Sequence, residues 1–236
     1  MTIGILGALP EEVEQLREAL EDGGRVADVP FELYQGRLEG HPVLIAQCGV
    51  GKVNAAMVTQ MMVHLGAEAI VFTGVAGAID PELSVGDLVI STEAVQHDVD
   101  ATTLGFEVGQ IPYESVRCWR ADDTLRRLAS ASAAGFDGVA VVEGRIASGD
   151  QFVADPQKVA WLRDAFGAVC AEMEGASVAQ VCAKWELPFV IVRSISDTAD
   201  HGADVDFLEF TPLAAARARQ VVLGILRGLE PSSSGC

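Results

Sequence analysis

Short apolar runs, each closed by glycine or by an acidic residue and most followed by a stretch of helical length, recur along this chain. That alternation of strand and helix constrains the fold more than any other feature. Residues 2–7 read as a buried strand, and 11–20 as a helix whose Val13, Leu16 and Leu20 share one face. A strand pair at 31–38 and 42–48 comes next, then the turn Gly49-Val50-Gly51 and a helix over 52–64. Residues 69–73 form a further strand that ends at Gly74. The stretch Gly74-Val75-Ala76-Gly77-Ala78 has side chains small enough for its backbone to approach another group closely. Strands recur at 87–96, 138–147, 169–172 and 189–195. Asp155-Pro156 and Thr211-Pro212 each set a capping residue before a first-turn proline and open a helix. Together these elements predict an α/β fold with a mostly parallel or mixed sheet covered on both faces. Residues 98–120 lack a period and read as a loop of the kind that covers a substrate. Residues 231–236 read as a frayed tail.

With 236 residues, half of them hydrophobic, the chain can bury a large core, and residues 1–230 are expected to form one domain. The apolar runs are broken well short of the roughly 20 residues of a spanning helix, so no membrane association is expected. The N-terminus enters a strand-like run without a basic leader and a cleavage site, which predicts a cytoplasmic protein. Its five cysteines are scattered and odd in number, with no C-x-x-C pair, as for reduced core thiols rather than a disulfide framework or a zinc site. A formal net charge of −18 repels phosphate backbones and anionic lipid, so nucleic acid is not an expected partner.

In open α/β sheets ligands bind beyond the carboxyl ends of strands, which directs attention to four places. The first strand is followed by Glu11 and Glu12. Its Gly4-Ile5-Leu6-Gly7 lacks G-x-G-x-x-G, and two glutamates would repel a pyrophosphate, so no dinucleotide site is read there; Glu11 reads as favouring a helix N-terminus. The second place is the turn at 74–77. The third is Glu172-Met173-Glu174, two carboxylates that either are solvated at a helix start or accept from the vicinal hydroxyls of a sugar. The last is Arg193-Ser194-Ile195-Ser196-Asp197. Arg193 lies within an apolar run and needs an acidic partner, Glu172 or Glu174, or a ligand; Asp197 is suited to a cap or turn as well as to catalysis. His97-Asp98-Val99-Asp100 has no further histidine at ligand spacing, so no metal is expected. No nucleophile elbow or Walker lysine loop occurs.

In this order the pieces resemble the 5′-methylthioadenosine/S-adenosylhomocysteine nucleosidases of the purine nucleoside phosphorylase superfamily. The resemblance is carried by Ile3-Gly4-Ile5-Leu6-Gly7-Ala8 with Glu11-Glu12-Val13, Gly49-Val50-Gly51-Lys52-Val53, Thr73-Gly74-Val75-Ala76-Gly77, His97-Asp98-Val99-Asp100, residues 105–112, Ser148-Gly149-Asp150-Gln151-Phe152, Glu172-Met173-Glu174 and residues 193–197. It implies a three-layer α/β/α sandwich with a central mixed β-sheet. It also implies a homodimer, a small-molecule nucleoside as substrate, no cofactor, and hydrolysis of the adenine–ribose bond. By resemblance Asp197 protonates adenine N7, Glu12 activates water, and Glu174 grips the ribose hydroxyls over Met173. Phe152 stacks on adenine and the Val153 backbone reads its edge. Leu9, Val50, Leu104, Phe106, Pro112 and Phe207 line the 5′ pocket, and Ala76, Gly77, Arg193 and Ser196 complete the substrate site. Leu9, Leu104 and Phe106 depart from the commoner residues, and Val75 stands where serine is frequent, which favours water over phosphate. The rival readings are an aminofutalosine nucleosidase, a phosphorylase, and a binding module without turnover. A phosphorylase is disfavoured because Lys52 is the lone basic residue near the glycine turns.

Overall fold

Period-two alternation along the central strands sends neighbouring side chains into two separate apolar layers. Leu6, Ile70, Phe72 and Ile191 pack with Ala55, Val58, Met62, Val178 and Cys182 in one layer. Ile3, Ile5, Val71, Val190 and Val192 pack with Val13, Leu16, Leu125, Val221 and Ile225 in the other. A sheet buried on both faces results, between two layers of helices.

The computed structural model describes residues 1–198 and 203–230, without the side chains of 203–208. The strands are β1 (Ile3–Gly7), β2 (Glu21–Arg25), β3 (Glu32–Leu38), β4 (His41–Gln47), β5 (Ala69–Ala78), β6 (Leu88–Gln96), β7 (Cys118–Arg120), β8 (Val141–Ser148), β9 (Ala168–Glu172) and β10 (Phe189–Asp197). The helices are α1 (Pro10–Glu18), α2 (Lys52–His64), α3 (Asp123–Ala133), α4 (Pro156–Phe166), α5 (Gly175–Lys184) and α6 (Ala203–Gly228). α2 and α5 cover one face, and α1, α3 and α6 the other.

The sheet is mixed. β4, β1, β5 and β10 run parallel to one another, as do β6, β8 and β9, whereas β3–β4, β2–β3, β6–β7, β10–β6 and β5–β9 are antiparallel. Since β5 pairs with both β10 and β9, the strands β5, β10, β6, β8 and β9 form a closed circuit. β5 therefore runs through to Ala78, past the end at Gly74 expected from its sequence. Its first half lies beside β1, and its last residues turn to β9, where Gly77 pairs with Ala171. Small side chains permit this passage: a Cβ on Gly74 would sit 2.7 Å from Glu12 Oε1. The group approached by this backbone is thus one of the protein's own carboxylates.

α6 also differs from its sequence reading. It starts at Ala203, and Pro212 lies inside it rather than at its first turn. An interior proline costs about 3 kcal/mol through its lost N–H bond and its ring. Burial of Ala214, Ala215, Ala218, Val221, Val222 and Ile225 along the same helix offsets that cost. β2 (EDGGR) is exposed throughout and owes its form to backbone pairing with β3, which no apolar pattern announces. Asp155 caps α4 as read, accepting the Gln157 N–H at 2.9 Å. Cys48, Cys170 and Cys182 are buried free thiols and Cys118 is half-buried. Among the described residues no helix is long and apolar enough to cross a membrane.

Candidate active site

The far end of β5 acts as a ruler for the acidic groups. Glu12 reaches it from the first turn of α1: its Oε1 accepts the Val75 N–H at 3.1 Å, and its Oε2 accepts those of Ala8 and Leu9 at 2.6 and 2.9 Å. A carboxylate has about four acceptor sites, so three are occupied and one remains. Two residues further along β5, Gly77 pairs with Asp197 on one side and Ala171, the neighbour of Glu172, on the other. Strand register therefore gathers acids that are up to 185 positions apart in the chain, Glu12 and Asp197, onto three residues of backbone, Val75 to Gly77. Glu11, by contrast, is exposed.

The two carboxylates of Glu172-Met173-Glu174 divide their work. Glu172 takes the Arg193 Nη2 donor at 2.5 Å, the Gly175 N–H at 2.8 Å and the Ser148 hydroxyl. It is the partner that Arg193 requires, and Arg193 in turn lies 4.0 Å over the Phe72 ring and donates to the Val192 carbonyl at 3.2 Å. Glu174 is held by a single backbone donor, the Gly51 N–H at 2.7 Å on Oε1, which leaves most of its acceptor capacity for a ligand. Burial raises its pKa above the usual carboxylate range, and the adjacent Glu172 charge adds to this. Burial raises Glu12 as well, opposed by the Arg193 charge and by its three N–H donors. Asp197 is 2% exposed, and its Oδ2 accepts the Ser196 hydroxyl at 2.9 Å.

A cavity of about 260 Å³ lies between these groups. Of the residues singled out in the sequence, Leu9, Glu12, Val50, Val75, Ala76, Gly77, Phe152, Val153, Glu172, Met173, Glu174, Ser196 and Asp197 line it. Arg193 does not reach it, being spent on Glu172 below. Leu104, Phe106 and Pro112 do not border it either. Leu104 is 72% exposed, and Phe106 packs edge-on against Tyr113 with ring centroids 5.7 Å apart. The side chain of Phe207 lies outside the described residues. Ala8, Gln151 and Ala171 also line the cavity. Gln151 was within reach of sequence reasoning, since it precedes Phe152 in the same loop. Among the described residues no cluster of three His, Cys, Asp or Glu could hold a metal ion, and burial pushes the His97 pKa down to about 4.

The sequence model of the phosphorylase superfamily matches residues 2–227. A curated 5′-methylthioadenosine/S-adenosylhomocysteine nucleosidase from Geobacillus sp. (strain WCH70) is 41% identical over 232 residues, which is 98% of this chain and 100% of the relative. The chain belongs to this nucleosidase family. A solved member of the family, from Neisseria meningitidis in complex with methylthio-immucillin-A, matches with a TM-score of 0.93 at 41% identity, over 97% of this chain and 99% of that one. A structure described as a futalosine hydrolase mutant of Helicobacter pylori matches with a TM-score of 0.91 at 32% identity, over 97% and 100%. Among the described residues the cavity lining holds Glu12, Glu172, Glu174 and Asp197 but no lysine, arginine or histidine. Lys52 is turned to other work, with its Nζ 2.6 Å from Asp98 Oδ1.

Proposed function

We propose that this chain hydrolyses the N-glycosidic bond of 5′-methylthioadenosine and S-adenosylhomocysteine, and of 5′-deoxyadenosine in the same pocket. The products are adenine and the 5-substituted ribose, a reaction that serves methionine salvage. Asp197 gives a proton to adenine N7 as the C1′–N9 bond breaks and its electron pair passes to the base. Water attacks C1′ from the opposite face and loses a proton to Glu12. Glu174 binds the ribose hydroxyls and stabilises the oxocarbenium character at the sugar, Met173 packs beneath it, and Phe152 and Val153 take the adenine.

The observation that carries this reading is an acidic cavity whose described lining residues include no cation. Among the described lining residues a phosphate nucleophile would meet four carboxyl groups and no basic side chain, whereas water needs only a base. Val75 offers no hydroxyl there. Adenine release from 5′-methylthioadenosine should proceed at the same rate, within about twofold, with and without phosphate. Formation of a ribose 1-phosphate product, or a strict need for phosphate, would make the chain a phosphorylase. The likeness to the Helicobacter pylori futalosine hydrolase supports a second reading, aminofutalosine hydrolysis, so the same assay should include that nucleoside.

We further propose that residues 1–230 form one cytoplasmic domain and that the chain is a homodimer. Support for the single domain comes from one sheet that includes every strand among the described residues. Support for the dimer comes from the exposed apolar Val50, Val53 and Met57 on and before α2 and from Leu104. Leu104, Phe106 and Pro112 are absent from their own chain's cavity, so they keep a role at the 5′ substituent only where a second copy carries them to it. Light scattering should return twice the chain mass of 24.8 kDa; a monomer at assay concentration would remove those three residues from the site.

A further inference from the structure

Lys52 Nζ donates to Asp98 Oδ1 at 2.6 Å and to Gln96 Oε1 at 3.0 Å. The other oxygen of Asp98 accepts the Asp150 N–H at 3.0 Å, and Asp150 Oδ1 accepts the backbone N–H of Lys52 itself at 2.9 Å. These bonds close a ring through three segments distant in sequence: the first residue of α2, the end of β6 with the residues just after it, and the loop after β8. The ion pair is mostly buried, at 16% and 17% side-chain exposure, so it is better shielded from water and salt than a surface pair. Gln96 extends the ring by donating to Gln180 of α5, the helix that Glu174 precedes, at 2.7 Å. Immediately before Lys52, at the end of the turn that leads into α2, is Gly51, whose N–H is the backbone donor to Glu174. Gly51 has a φ of +99°, a conformation that side-chain-bearing residues rarely adopt, so the donor's direction depends on what holds the turn from outside.

We propose that Lys52 is a positioning residue for Glu174, holding the Gly51 donor in place through the ring it forms with Asp98 and Asp150. The inference rests on the nucleosidase reading, in which Glu174 holds the ribose. Lys52 lies outside the cavity lining and touches no reacting atom. Its effect on rate runs through geometry, and a displacement of about 1 Å at a site of this kind can cost on the order of a hundredfold.

The test is a double-mutant cycle on adenine release. Lys52→Met should lower kcat about 10- to 100-fold with KM changed less than about threefold, and in a Glu174→Gln background the same substitution should cost less than about twofold. An equal loss in both backgrounds, or an unaltered kcat, would overturn the proposal. Should Lys52→Met show no cooperative thermal transition, Asp98→Asn, which keeps the shape and weakens the ring, carries the same two comparisons. Absence of adenine release by the native chain would instead count against the functional reading itself.

Discussion

Asp197→Asn should lower kcat for adenine release by about 10²- to 10⁴-fold while leaving substrate affinity within a few-fold of native, as expected when a positioned acid is removed. Asparagine fills the same volume at the end of β10 and can still accept the Ser196 hydroxyl, so the strand and the cavity should persist. What it lacks is a transferable proton. Adenine expelled without protonation leaves as an anion, and the barrier rises accordingly. Single-turnover release of adenine, with equilibrium binding of 5′-methylthioadenosine measured alongside, separates the two effects. Native kcat in the variant would remove Asp197 from the chemistry; a large loss of affinity with kcat retained would make it a binding group.

Glu12→Gln should have a comparable effect, again about 10²- to 10⁴-fold on kcat, because the amide cannot take a proton from water. Its structural consequence is distinct. The amide oxygen can still accept the Ala8 and Leu9 N–H groups, but the NH₂ then faces the Val75 N–H, and two donors meet. A buried donor left without a partner costs about 1–3 kcal/mol. Against this stands the burial that raises Glu12 above its ordinary value of 4.5. A raised carboxyl pKa means that the folded chain binds the proton more tightly than the unfolded one. Folding stability from this group is therefore greatest at low pH and is lost as pH rises through the folded pKa. The stability of Glu12→Gln relative to the native chain should accordingly improve from acid to neutral pH. In kinetics the same shift places the acid limb of the native kcat/KM profile above the ordinary carboxylate range. Residual activity of the variant should lack that limb, and its persistence would assign the limb to another group.

Much of the architecture was legible before any coordinates. The helix read over 52–64 is α2 with the same bounds, and the cap at Asp155 opens α4 as its sequence indicates. Local patterns succeed there because the deciding interactions are local: a proline at the first turn, and a side chain bonding two residues ahead. They fail where a partner outweighs propensity. β2 is held by β3 despite a sequence of turn formers, α6 accommodates Pro212 because its buried stripe is long, and β5 continues through glycine and alanine because β10 and β9 supply ladders on either side.

The candidate site shows the same division. Acids at strand ends, a cation inside an apolar run that demands an acidic partner, and a tract too small to be ordinary core are properties of the chain by itself, because charge and volume travel with each residue. Which of Glu172 and Glu174 neutralises Arg193, and which keeps lone pairs for a ligand, was decided by tertiary structure. That choice depends on the distance from each carboxylate to Arg193 and to the Gly51 donor, and such distances exist only once β5, β9 and β10 are in register. Long-range pairing converts a list of acidic residues into one saturated carboxylate and others with capacity to act.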